Sequence, residues 1–145
     1  MRFNGEWLQC DDGVIRPVIS AEILDGDDHW RSFELLVDTG ADRTVISANV
    51  LHSLNPSSDA PQDRIGGVGG FVDTVIVCTQ MRLLRDDGKW AVFRGDYAAC
   101  ISHEVLDMSV LGRDILDMFS LVIERRADVV AILGGHHSYS ITRTA

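Results

Sequence analysis

Around position 38 an apolar strand runs directly into an acid: Leu35-Leu36-Val37 is followed by Asp38-Thr39-Gly40-Ala41-Asp42-Arg43-Thr44-Val45-Ile46. A carboxylate led in by Val37 and followed by more apolar sequence loses solvation, and such a group is rarely left without a partner or a task. Thr39 offers a hydroxyl that can bond across a loop, and Gly40 lets another backbone come close. The chemistry open to this arrangement is proton transfer, with Asp38 as a base towards water or an acid towards a carbonyl. The tripeptide alone is equally compatible with an ordinary turn in which Asp38 caps a loop.

Two further segments carry possible chemistry. In Ile65-Gly66-Gly67-Val68-Gly69-Gly70-Phe71-Val72, four glycines surround Val68. They suit a hairpin tip that can take positive φ and move, as a lid over a substrate must. A phosphate-cradling loop would be followed by a Lys and a helix, and neither is evident here. In Val110-Leu111-Gly112-Arg113-Asp114-Ile115-Leu116, Arg113 stands at a helix start, where a positive charge is slightly unfavourable against the macrodipole. It either points to solvent or has an acidic partner.

The three segments, in this order, resemble the retropepsin-like aspartic proteases, the retroviral protease family and its cellular and bacterial relatives. The run Asp38-Thr39-Gly40-Ala41-Asp42 with Thr44-Val45 looks like the catalytic loop, residues 65–72 like the glycine-rich flap, and Val110 to Leu116 like the hydrophobic-hydrophobic-Gly-Arg-Asp/Asn signature that opens the family's helix. Residues 33–119 fall inside the resemblance. It implies an all-β fold, an acid protease barrel with one or two short helices. It also implies Asp38, Thr39 and Gly40 as catalytic residues, and Ala41, Asp42, Gly66, Gly67, Val68, Gly69 and Gly70 as the substrate-binding set. Arg113 would pair with Asp42 and, with Asp114, support the loop; a bidentate pair would fix it firmly. No cofactor or metal is called for. After the helix the chain departs from the retroviral pattern: residues 120–124 and 129–133 suggest one more hairpin and then a tail, which leaves the geometry of a dimer interface open.

Aspartic protease chemistry needs two carboxylates sharing a proton. This chain holds one Asp-Thr-Gly, and Asp11-Asp12-Gly13 and Asp86-Asp87-Gly88 lie in polar turns with no apolar strand leading in. A two-fold axis between two copies of Asp38 supplies the second acid, so a homodimer acting on a polypeptide is expected. Two carboxylates in contact cannot both ionise easily, and the pair keeps one proton. A retropepsin-fold module that dimerises or binds peptides with little or no activity is the alternative, since fold does not fix function. The intact Asp38-Thr39-Gly40 favours the enzyme, because a binding module has no need to force two acids together.

The composition narrows the remaining classes. At 145 residues and 46% apolar content, the chain reads as one domain over 1–145. A net charge of −9 argues against nucleic acid as a partner, and it makes dimerisation tighten with added salt. No apolar run reaches the roughly 18 residues that span a bilayer, and the first residues do not open a signal peptide, so no membrane partner and a cytoplasmic location are expected. Cys10, Cys78 and Cys100 are odd in number and widely spaced, which signals neither a disulfide framework nor zinc; all three read as small, partly buried apolar residues. His136 and His137 are adjacent, point apart in an extended chain, and read as an exposed tail rather than a metal pair.

The elements that must position these residues are short strands between Asp-Gly turns. Strands over 14–24 and 29–37 form a hairpin about the turn at 25–28. Strands over 72–84 and 89–93 form another about Asp86-Asp87-Gly88, the second strand being the shorter. Helices are expected over 48–54, with Ser47 as N-cap, and over 113–119 after Gly112. Residues 55–61 read as a loop.

Overall fold

The computed structural model describes residues 1–56 and 60–144. Of the loop expected over 55–61, residues 57–59 lie outside the described residues, as does Ala145 at the end of the tail. The chain is organised as β1 (Arg2–Asn4), β2 (Glu6–Gln9), β3 (Ile15–Leu24), β4 (Trp30–Val37), β5 (Val45–Ile46), α1 (Ala48–Ser53), β6 (Gln62–Gly67), β7 (Gly70–Leu84), β8 (Trp90–Cys100), β9 (Ser109–Leu111), α2 (Arg113–Leu116), β10 (Ser120–Glu124) and β11 (Val129–Leu133). The all-β expectation with two short helices holds.

Eight strands hydrogen-bond in the order β2-β3-β4-β9-β5-β8-β7-β6. An additional pairing of β3 with β7, at Glu22↔Arg82 and Ile23↔Met81, closes the sheet on itself. A closed sheet has an inside, and alternate residues fill it: Val18, Ile23, Leu35, Met81, Leu83 and Leu111 have no exposed surface. Outside the closure, Arg82 pairs with Glu22 and its guanidinium lies 4.1 Å from the ring centres of both Trp30 and Trp90. A planar cation between two indoles holds the strands together across their seam. A smaller sheet, β1-β11-β10, covers one side through the fully buried Phe3, whose ring meets Phe119 edge-on at 5.5 Å.

Both expected hairpins form, with corrections at their ends. The turn after β3 is built on a buried acid: Asp25 Oδ1 accepts the amides of Asp27 and His29 at 2.9 Å each, and Oδ2 takes Arg31 Nε at 2.7 Å. The strand expected over 89–93 is the longer β8, which runs through Arg94-Gly95-Asp96 to Cys100. Those polar residues keep the strand's alternation while β7 pairs with every position from Trp90 to Cys100, so the ladder rather than local hydrophobicity decides the strand's length. Helix α2 stops at Leu116 rather than Phe119; single turns continue to Phe119, whose ring is needed against Phe3 and Phe93. Ser47 stands at the N-cap of α1 without a side-chain cap; its amide donates to Ser109 Oγ at 2.9 Å and its hydroxyl accepts from the same group. Cys100 is buried and Cys10 half-buried, but Cys78 is exposed, because its position on β7 faces outward opposite Asp96. The hairpin expected beyond the helix is β10–β11, and the histidine tail follows it, exposed. Among the described residues no helix is long and apolar enough to cross a membrane.

Candidate active site

Strand β4 carries the chain to Asp38 and pairs in parallel with β9, Leu36 opposite Val110 and Val37 opposite Leu111. The ladder continues one residue further, the Asp38 amide donating to Leu111 O at 3.2 Å. The acid is therefore presented just beyond the buried Leu35 and Val37 at the end of β4, itself half-buried. Asp38 Oδ1 accepts the Gly40 amide at 2.9 Å, and Ala41 N–H donates to Asp38 O at 3.3 Å. The carboxylate thus does cap its own loop. That occupies one oxygen and leaves Oδ2 without a hydrogen-bond partner among the described residues. A Cβ on Gly40 would come within 3.2 Å of Oδ1, so glycine keeps the side chain in this orientation.

A second layer fixes the loop from behind. Arg113 N–H donates to Ala41 O at 2.8 Å and Asp114 N–H to Asp42 O at 3.2 Å, tying the start of α2 to the loop. The Arg113 guanidinium reaches Asp42 Oδ1 as expected, but through Nη2 alone, so the pair is not bidentate. Asp114 Oδ1 accepts the Thr44 amide at 2.9 Å, the Thr44 hydroxyl at 2.7 Å and the Ile115 amide at 3.0 Å. The buried Thr44 hydroxyl accepts in turn from the Gly112 amide at 3.1 Å. Gly112 is required for this approach: a Cβ there would sit 2.3 Å from the Arg43 carbonyl carbon. Thr44 and Gly112 belong to the quoted motifs, yet nothing in the sequence marks them as the hub.

Residues 65–72 form the expected hairpin. Strand β6 pairs with β7 down to Gly67↔Gly70, Gly70 has φ +106°, and the Val68 side chain at the tip stands free in solvent. Between this hairpin and Asp38 lies an open cleft of about 930 Å³. Asp38, Gly40, Ala41, Asp42 and the run from Gly66 to Gly70 all border it, while Arg113 and Asp114 stand behind the loop. Thr39 is exposed; the bond expected from its hydroxyl across the loop is not made among the described residues.

The cleft also has walls that residue types alone did not mark. Val45, Cys100 and Val110 form an apolar patch, flanked by Ile65 and Leu106. Glu104, Val105 and Leu106 come from the loop between β8 and β9, which carries no motif. Arg43 and Arg64 supply positive charge on the hairpin side, pairing with Asp63 at 3.3 Å and Asp73 at 3.4 Å. The Arg64 amide and then the Arg43 guanidinium hold the Asp63 carboxyl below the usual carboxylate range. No group of three or more metal-ligating side chains occurs among the described residues. The arrangement can take an extended chain along the cleft, apolar side chains against Val45 and Val110, with a free carboxylate oxygen beneath it.

Among solved structures, a retropepsin-like aspartic protease from Rickettsia conorii is similar with a TM-score of 0.57 at 16% identity, covering 91% of this chain and 88% of that one, which is a likeness of fold. The EIAV protease complexed with the inhibitor HBY-793 matches at 26% identity with a TM-score of 0.48, covering 70% of this chain and 86% of that one. No curated protein matches. The family model of the retroviral aspartyl protease matches residues 14–124, a stretch that runs from the first long strand through the Asp38 loop, the glycine hairpin and α2 to the end of β10, and the chain belongs to that family.

Proposed function

We propose that the protein is an aspartic endopeptidase that works as a homodimer, Asp38 of each protomer supplying one of two carboxylates. The observation that carries this reading is the free Asp38 Oδ2 bordering a cleft beneath the glycine hairpin, with Asp42 in the same loop committed to Arg113. One carboxylate cannot both take and give a proton in the same step, so a second must come from another chain. In the dimer the ionised Asp38 takes a proton from water as the water oxygen bonds to the scissile carbonyl carbon, and the protonated Asp38 of the partner gives its proton to the carbonyl oxygen. As the tetrahedral species collapses, the Asp38 that took the water proton gives it to the leaving nitrogen, the C–N bond breaks, and a hydroxyl on the tetrahedral carbon returns a proton to the Asp38 of the partner. The two Asp38 carboxyls finish sharing one proton, as they began.

The loop backbone around Gly40 and Asp42 and the hairpin around Val68 hold the peptide by strand-like hydrogen bonds, and closure of the hairpin excludes bulk water. Thr39 and Gly40 shape the loop, and Arg113 and Asp114 fix it from behind. The test is Asp38→Asn, which keeps the Gly40 hydrogen bond and removes the charge. Wild type is expected to cleave a peptide library; the variant is expected to cleave none of it and to sediment as a dimer. Mixed with wild type in excess, the variant is expected to suppress activity by forming mixed dimers. Cleavage that survives in Asp38→Asn, or activity that scales linearly with protein through dilution to monomer, would sink the reading. A wild type that dimerises and cleaves nothing at any pH would make it a peptide-binding module.

A further inference from the structure

Among the described residues, one side-chain ion pair joins the glycine hairpin to the loop of Asp38: Arg43 Nη1 to Asp63 Oδ2 at 3.3 Å. Its two ends are held very differently. Arg43 is a fixed post, because its carbonyl lies so close to Gly112 that a Cβ there would be 2.4 Å from the oxygen, and because the next residue, Thr44, gives both its amide and its hydroxyl to Asp114. Asp63 sits on β6, the last strand of the eight-stranded sheet, which is hydrogen-bonded along one edge only and exposed at five of its six residues. The pair therefore spans the seam between a part that can swing and a part that cannot.

The side chains around the pair favour this link over others. Asp63 Oδ1 accepts the Arg64 amide at 2.8 Å, which leaves Oδ2 to Arg43. Arg64, the other cation nearby, is engaged across the hairpin with Asp73 and lies over the Phe71 ring at 5.4 Å, so it does not compete for Asp63.

We propose that Asp63 and Arg43 form a clasp that holds the stem of the hairpin down over Asp38, which makes Asp63 a positioning residue for peptide capture. Asp63 acts through the hairpin and touches neither the water nor the scissile bond. The proposal rests on reading residues 65–72 as a flap and Asp38 as catalytic. Both partners are about two-fifths exposed, at 43% and 44% of the side chain, so the clasp shifts the open–closed balance by only roughly two- to fivefold, the range of exposed ion pairs. That strength suits a lid that must open in every cycle.

The test compares Asp63→Asn, Arg43→Asp and the charge-exchanged pair Arg43→Asp with Asp63→Arg, by amide hydrogen exchange without substrate and by peptide kinetics. In Asp63→Asn, exchange at residues 62–67 is expected to rise roughly two- to fivefold, with KM rising by a similar factor while kcat stays within about twofold. The charge-exchanged pair is expected to return exchange to the wild-type rate. This separates a clasp from a direct Arg43–substrate contact, which the exchange of charges would reverse. Unchanged hydrogen exchange in Asp63→Asn, faster exchange with unchanged KM, or a double variant that exchanges as fast as Arg43→Asp alone overturns the clasp. The exchange arm needs no catalysis, so its outcome stands apart from the Asp38 reading, whose failure shows as cleavage surviving in Asp38→Asn.

Discussion

Replacing Gly112 by Ala probes the junction that supports the Asp38 loop. The backbone there, φ −96° and ψ −179°, is one that any residue adopts, so no conformational penalty applies. The unfolded chain in fact favours the substitution by about 0.4–1 kcal/mol. What opposes it is space: the new Cβ would meet Arg43 C at 2.3 Å, Arg43 O at 2.4 Å and Thr44 N at 2.7 Å, all backbone atoms. Relief requires the two segments to part by about 1 Å, since unstrained contacts begin near 3.5 Å. That movement breaks the bonds Arg113 N–Ala41 O, Gly112 N–Thr44 Oγ1 and Asp114 N–Asp42 O, now at 2.8, 3.1 and 3.2 Å. At the central value of about 1 kcal/mol for each of the three bonds, less the unfolded-state gain, the net loss is about 2–3 kcal/mol, within the range of overpacking. For a chain of this length that corresponds to a fall in Tm of roughly 7–10 °C. Urea titration followed by tryptophan fluorescence, at one fixed protein concentration, reads it. Gly67→Ala is the control, because its Cβ would meet nothing within 4 Å, and it is expected to stay within about 0.5 kcal/mol of wild type. A loss below about 1 kcal/mol in Gly112→Ala, or an equal loss in Gly67→Ala, would refute the close-approach reasoning.

Thr44→Val keeps the shape of a fully buried side chain but removes the acceptor of the Gly112 amide; a loss of about 1–3 kcal/mol is expected in the same titration. Asp25 is held down to about 2 by the His29 amide first and by Arg31 next. Its folded value lies below its unfolded one, near 3.8, so its contribution to stability is complete above about pH 4 and drains away as the pH falls towards 2. Thermal melts of Asp25→Asn against wild type are expected to lack that slope. Cys78 is exposed, but Asp96 beside it pushes its thiol up, so alkylation by iodoacetamide at neutral pH is expected to be slow and to speed up in Asp96→Asn.

The sequence disclosed the hairpins and the three motifs because those depend on local signals: alternation, Asp-Gly turns, and glycines around Val68. It hid what depends on distant partners. The polar stretch Arg94-Gly95-Asp96 reads as a break and becomes strand only because β7 lies alongside. Asp25 lies in a turn of polar residues, yet its side chain is buried against the amides of Asp27 and His29, with the exposed Arg31 reaching in to pair with it. The pairing of Arg113 with Asp42 is legible only through a family likeness, whereas Thr44, Gly112 and Asp63 make contacts between segments that no local pattern encodes. The loop of Glu104 to Leu106 borders the cleft solely because β8 and β9 deliver it there.

The parallel pairing of β4 with β9 bears on when Asp38 acquires its surroundings. Thr44 and Asp114, which lock the loop, are 70 residues apart, and Leu36 finds its neighbour only at Val110. Contacts of such separation form late and slowly, after the entropy of closing a long loop has been met. A chain emerging from the ribosome therefore lacks the supports of the Asp38 loop until residues 109–114 have been synthesised. Any hydrolytic power that depends on a rigid acid is withheld from the nascent polypeptide and from the crowd of unfolded chains around it.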